Sequence, residues 1–297
     1  TKLDLVNYYL AVGDGIVRAL RARPCMLHRF PDGLAGEKVH QKRVPHGAPP
    51  WLETVRVKFP RYNRHADELC VAHPADVIWA VQMSTVEFHP WNSRRDDTEA
   101  PDEWRIDLDP MPDAGYADVR RVAVVVQELL AELGAVGYPK TSGGKGLHIY
   151  VRTPPAHGFH DVRRAALAFA RECERRSDGL VDTTWWRKDR DPASIFVDYN
   201  QNARDHTIAS AYSVRGTPLG VVSTPVRWDE IDDADRQSWD RHMETNLRAP
   251  LVLSQAFARQ LPAEERGCIV NIIDQRVWNL TPHFVSYTLS KAGLWTL

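Results

Sequence analysis

Apolar residues recur at helical spacing through "LDLVNYYLAVGDGIVRALRAR" and stop before Pro24, which predicts one amphipathic helix at the start of the chain. From Met26 to Pro60 the text is proline-rich and reads as loop. The stretch "ADVIWAVQMSTVEFHPW" predicts a short helix running into a strand that stops at His89-Pro90. After it, "RRDDTEAPDE" reads as a solvated loop and "WRIDLDP" as a strand closed by its proline. "YADVRRVAVVVQELLAELG" has the pattern of a long helix with a glycine stop. A glycine-rich turn, "TSGGKG", then feeds the strand "LHIYVRT", a helix near 161–175 and the strand "SIFVDYN". Strands that alternate with helices and loops predict a layered domain of the α/β (α+β) class.

Near residue 233 the character changes. "VRWDEIDDADRQSWDRHMETNLRAPLVLSQAFARQL" opens a helix-rich segment, "GCIVNIID" is expected to be a buried strand, and "SYTLSKAGLWTL" reads as a helix cut in its middle.

With 297 residues the chain can form one large domain or two modest ones, and its 43% hydrophobic content suffices for a core. Cys25, Cys70, Cys173 and Cys268 lie far apart with no metal-ligand spacing, so a reducing, cytoplasmic setting is expected and a disulfide framework is not. No apolar run approaches the roughly 20 residues that span a bilayer, so no membrane partner is expected. A net charge of −1 argues against a protein that coats nucleic acid. It leaves room for a local basic groove, because arginines cluster at 18–29 and 187–190.

In "RIDLDP", Asp107 and Asp109 stand at i and i+2 of a strand, so they share one face about 7 Å apart while Ile106 and Leu108 face the core. Such a pair also occurs in loops where both carboxylates are merely solvated. Asp198, at the end of "SIFVD", is a third candidate; three carboxylates on neighbouring strands suit a two-metal site for phosphoryl or nucleotidyl transfer. The glycine turn is not a Walker A loop, since Lys145 is followed by Gly146, and it leads into a strand, unlike a dinucleotide fingerprint. Ser142, Lys145 and His148 are placed to converge on one anion; a plain hairpin with a surface lysine is the alternative. His89 beside Pro90 and Trp91 reads by itself as a structural histidine, and Arg204 and Arg215 as surface arginines.

Taken in order, "FHPW", "RIDLDP", "TSGGKGLHIYV" and "FVDYNQNAR…TIASAYSVR" resemble the polymerase domain of bacterial ATP-dependent DNA ligase D, within the archaeo-eukaryotic primase superfamily, over about residues 1–233. The resemblance implies a template-directed nucleotidyltransferase that fills gaps at broken DNA ends in non-homologous end joining and prefers ribonucleotides. It implies two Mn2+ or Mg2+ ions on Asp107, Asp109 and Asp198, and an incoming triphosphate among His89, Ser142, Lys145, His148 and Arg215. Lys42 and Arg204 would contact DNA. Partners implied are DNA ends or gapped duplex, NTPs or dNTPs, Ku and a DNA ligase. Two departures stand out. Val39-His40 precede Gln41-Lys42 where family members often carry two aromatics, which leaves template stacking to His40, and the text begins at "TKLDLVNYY" where related domains have a further N-terminal segment. An N-terminally truncated domain with weakened recognition of a downstream 5′-phosphate is therefore expected.

The tail is similar to another family. "WDRHMETNLRAPLVLSQAFARQLP", "GCIVNIID" and "SYTLSK" resemble the middle of a short-chain dehydrogenase/reductase of the pteridine reductase-like kind. That resemblance makes Tyr287 and Lys291 the YxxxK pair, Asp274 the occupant of the usual serine position and Asn246 the helix asparagine. The glycine-rich cofactor turn that should come first is missing, so residues 234–297 are expected to be a fused, partial Rossmann-type fragment without NADPH. An NADPH-dependent reductase and a catalytically inactive DNA-end-binding module are the rival readings.

Overall fold

The first apolar run folds as two helices, α1 (Lys2–Ala11) and α2 (Gly13–Leu20), where one was expected. The break falls at Val12, before Gly13-Asp14-Gly15, three residues with poor helix propensity. Gly15 also lies against the Tyr212 ring, which a Cβ would approach to 2.7 Å. The computed structural model describes residues 1–231, 236–278 and 285–297. These form two units, Thr1–Pro225 and Val226–Leu297. The boundary expected at 233/234 lies outside the described residues.

The stretch from Met26 to Pro60 is not loop throughout. It contributes to β1 (Pro24–Arg29), β2 (Val39–Gln41) and β3 (Thr54–Phe59), followed by β4 (Arg64–Cys70). These strands are short and separated by proline-rich turns, so no period-two pattern runs long enough to be read. A helix, α3 (Pro74–Gln82), and a strand, β5 (Thr85–Pro90), follow as expected. The first sheet has the order β2-β1-β4-β3, with β5 along β1. "RRDDTEAPDE" is likewise not free loop but most of a small hairpin, β6 (Ser93–Arg94) with β7 (Asp97–Pro101). Its charged residues hide the strand pattern while Arg94 pairs with Asp102 at 2.5 Å.

The second sheet is built from β8 (Glu103–Pro110), β9 (Gly137–Thr141), β10 (Leu147–Arg152), β11 (Val181–Asp182) and β12 (Ile195–Val197), in the order β11-β12-β8-β10-β9. Two long helices, α4 (Tyr116–Glu132) and α5 (Phe159–Arg176), pack on it. Val119, Val122, Val126 and Leu130 of α4 are buried along with Ile106, Leu108, Leu147 and Ile149 of the sheet. Each such side chain contributes about 1.5–3 kcal/mol on burial. Because strand residues alternate sides, this fixes Asp107, Asp109 and His148 on the face turned away from the helices.

The second unit holds α6 (Arg236–Met243), a π-helical turn at Glu244–Arg248, α7 (Ala249–Gln260) and α8 (Val285–Thr296). "GCIVNIID" is not the buried strand expected. Among the described residues no strand lies beside it, and Val270 and Ile272 are 82% and 81% exposed. A parallel-sheet strand is held by neighbours that satisfy its backbone, and without them the apolar run stays irregular. Among the described residues no helix is long and apolar enough to cross a membrane.

Candidate active site

The register of the second sheet places Lys140, His148 and Asp107 side by side on β9, β10 and β8. Asp198, one residue past β12, comes level with them and donates its N–H to the Asp107 carbonyl at 2.8 Å. Neighbouring strands lie about 4.8 Å apart, so four polar residues form one row across four strands, with Asp109 two positions along β8. Lys140 Nζ is 2.6 Å from His148 Nδ1, and His148 Nε2 is 3.4 Å from Asp107 Oδ1. Lys140 also donates to the Ala209 carbonyl at 2.9 Å and to Ser223 Oγ at 2.6 Å. All three members of the Lys140–His148–Asp107 row are buried.

Asp198 is held by the polar run that follows it: its carboxylate accepts from Asn200 N at 2.9 Å and from Gln201 Nε2 at 3.2 Å. Asn202 sews that turn to β8, accepting from Arg105 N and donating to Arg105 O. Burial, then the charges of Asp198 and Asp109, push the Asp107 carboxyl well above its ordinary range, against the pull of Lys140 and Arg215. Asp109 is pushed up by burial and by Asp198, with Arg187 and Arg190 opposing. Burial, reinforced by Lys140 and Arg215, drives the His148 imidazole well down, and burial does the same to the Lys140 ammonium against the attraction of Asp107. Three carboxylates in mutual repulsion, all hard oxygen donors, are the donor set that a divalent cation of the Mg2+ or Mn2+ kind would relieve.

A second cluster lies on the first sheet, where β1 and β5 set His28 opposite Glu87. Glu87 Oε2 meets His28 Nδ1 at 3.1 Å and His89 Nε2 at 2.7 Å, with Arg215 Nε at 3.6 Å. Its other oxygen accepts from Gly216 N at 2.7 Å. His28 stacks between His40 and His89, at 4.4 and 3.7 Å between ring centroids. Among the described residues this is the one group of His, Cys, Asp or Glu whose ligand atoms all lie within 4.8 Å of one another. Burial opposes ionisation of Glu87, but the hydrogen bonds from both histidines and the charge of Arg215 outweigh it and hold the carboxyl below its usual range. Burial, with help from the charges of His28 and Arg215, takes His89 down to about 3 against the attraction of Glu87.

Arg215 reaches from Glu87 to the glycine turn, donating to the Ser142 carbonyl at 3.1 Å. Gly143 sits at φ +69 against that side chain, and a Cβ there would come within 2.5 Å of Arg215 Cγ. Gly146 lets the turn lie on β8, since its Cβ would meet the Leu108 carbonyl oxygen at 2.3 Å. The expected convergence of Ser142, Lys145 and His148 on one anion is not what forms. The Ser142 hydroxyl accepts from Gly144 and Gly146 N–H, closing the turn on itself. Lys145 is exposed at the tip, and His148 faces Lys140 and Asp107. Lys42 Nζ lies 4.1 Å over the Phe59 ring. The Arg204 guanidinium is taken up by Glu99, Asp205 and the Lys58 carbonyl.

Sequence reasoning missed Lys140, Glu87 and His28. Glu87 and His89 stand at i and i+2 of one strand, so their shared face was readable. Lys140 carries no local signal of its place; only the β9–β10 register brings it opposite His148. In the second unit Tyr287 donates to Asp274 Oδ2 at 3.2 Å, Lys291 to the Ile272 carbonyl at 2.9 Å and Asn246 Nδ2 to Ser290 Oγ at 3.1 Å.

A mixed α/β fold with a polar row of this kind places the chain in a known class. Residues 1–249 match the family model of the LigD primase-polymerase domain, and the chain belongs to that family. Residues 221–297 match the model of short chain dehydrogenases. The chain is 34% identical over 240 residues to the multifunctional non-homologous end joining protein LigD of Pseudomonas aeruginosa, covering 78% of this chain and 27% of that protein. It is 30% identical over 237 residues to the LigD protein of Mycolicibacterium smegmatis, covering 79% of this chain and 31% of the other. It thus spans under a third of the length of these relatives. Among solved structures, the polymerase domain from Mycobacterium tuberculosis Ligase D in complex with DNA superposes with a TM-score of 0.73 at 28% identity, over 78% of this chain and 83% of that one.

Proposed function

We propose that residues 1–225 form a template-directed nucleotidyltransferase that extends DNA ends in non-homologous end joining. The observation that carries this reading is the row of Lys140, His148, Asp107 and Asp198, with Asp109 beside it, inside a chain of the LigD primase-polymerase family. Asp107, Asp109 and Asp198 would hold two Mn2+ or Mg2+ ions, which when bound supply Lewis-acid stabilisation of the charge in phosphoryl transfer. His148, fixed between Lys140 and Asp107, orients the central carboxylate. Glu87 ties His89 and Arg215 together, and Arg215 and His89 then present fixed cationic and hydrogen-bonding groups to the triphosphate. Lys145, exposed at the tip of its turn, is available to the same phosphates, and Lys42, half-buried over the Phe59 ring, is assigned to the template strand. Gapped DNA, NTPs or dNTPs, Ku and a DNA ligase are the partners this reading assigns, with ribonucleotides preferred. The DNA in the complex of the Mycobacterium tuberculosis domain supports it.

We read Val226–Leu297 as a pteridine reductase-like fragment without a dinucleotide site. The Tyr287–Asp274 contact is consistent with that ancestry, but no glycine-rich strand-turn-helix precedes it in the sequence of that unit. Primer extension on gapped DNA with Mn2+, ribonucleotides against deoxyribonucleotides, tests the polymerase reading. Extension favouring ribonucleotides supports it, and NADPH oxidation without extension would replace it.

A further inference from the structure

Between β11 and β12 the chain presents two adjacent tryptophans, Trp185 and Trp186, that are 53% and 63% exposed. We propose that they form a stacking platform for unpaired bases of the DNA strand entering the site, a reading that rests on the polymerase function above. Large exposed aromatic surface is costly in water unless something covers it.

The segment is pre-built. Thr183 N and Oγ1 bond Glu174, Thr184 N donates to Asp182 Oδ1, and Asp191 N donates to Asp182 Oδ2. Arg190 closes the loop by donating to the carbonyls of Thr184 and Trp185 at 2.8 and 3.0 Å. The backbone is therefore held while both indoles face outward.

The platform also connects to the carboxylates. Arg163 lies 5.5 Å from the Trp185 ring centroid and donates to Asn200 Oδ1, while Asn200 N donates to Asp198. Arg187 and Lys188 are exposed beside the indoles; of the exposed acids in the segment, Asp189 and Asp191, Asp191 accepts from the Ala193 amide, and half-buried Asp182 accepts from the amides of Thr184 and Asp191. Indole faces beside cations match a nucleic-acid strand: bases stack on the rings and phosphates meet the cations.

The test is fluorescence anisotropy of a labelled oligothymidylate on the full chain, with Trp186→Ala, Trp186→Phe and Lys188→Ala. Trp186→Ala should weaken binding about tenfold, Trp186→Phe should stay within about threefold of wild type, and Lys188→Ala should lower the salt dependence. Wild-type affinity in Trp186→Ala, or equal losses in the alanine and phenylalanine variants, would overturn the platform while leaving the polymerase reading intact. A wild-type chain that binds no oligonucleotide would remove both.

Discussion

Replacing Glu87 by glutamine keeps the shape of the side chain but removes the charge on which four groups converge. His28, His89 and Gly216 donate to its two oxygens, and Arg215 lies 3.6 Å away. A glutamine has one acceptor oxygen. If it serves Gly216, the amide NH2 faces the two ring nitrogens, and His28 and His89 must each move the ring proton to the far nitrogen to accept from it; if it serves the histidines, Gly216 N–H is left without a partner. One or two hydrogen bonds to a charged group are lost, at roughly 1.5–3 kcal/mol each, partly offset because a buried ion is no longer desolvated. A net destabilisation of about 2–4 kcal/mol should appear as a fall of about 1–2 M in the urea midpoint at neutral pH. The sign with pH follows from linkage. The folded Glu87 carboxyl lies below its unfolded value, so its contribution is present above about pH 4.5 and fades as pH falls further. The gap between wild type and variant should therefore narrow in acid. In primer extension, the apparent nucleotide KM should rise, because Arg215 and His89 lose their common anchor, while DNA affinity is unchanged. An unaltered urea midpoint together with an unaltered nucleotide KM would refute the reasoning.

Further outcomes are expected elsewhere. Glu68 is fully buried, its Oε2 accepts from Trp91 and its Oε1 has no partner, and burial raises its pKa to about 8. The fold prefers the protonated form, so stability is complete below about pH 4.5 and declines, by up to about 4–5 kcal/mol, as pH rises to 8; Glu68→Gln should flatten this slope in thermal melts. Lys145→Ala should raise the nucleotide KM with the fold and DNA binding unchanged, and an unchanged KM would leave Lys145 a surface lysine. In the second unit, Val270 and Ile272 should exchange amide hydrogens far faster than Asp107, and saturable NADPH binding would contradict the fragment reading.

The sequence carried the alternation of β8 and β10 well, because Ile106, Leu108, Leu147 and Ile149 stamp a period of two on core strands. It thereby put Asp107 and Asp109 on one face of β8, and His148 on the face of β10 opposite to Leu147 and Ile149. What it could not carry is register. Nothing local says that Lys140 lies opposite His148, or that His28 lies opposite Glu87, since both depend on pairing between strands. The short strands β1 to β3 were lost among prolines for the same reason: their partners, not their own pattern, make them strands. "GCIVNIID" erred the other way, an apolar run with strand character and, among the described residues, no strand beside it.

The central claim is that Asp107, Asp109 and Asp198 are one metal-binding set for nucleotidyl transfer. Its most direct test is Mn2+-dependent primer extension on gapped DNA by wild type, Asp107→Asn and Asp198→Asn, with thermal melting of each. Because each substitution removes a carboxylate from a repulsive cluster, the melting temperature should hold or rise while extension falls at least about a hundredfold. Wild-type extension rates in both folded variants would contradict it.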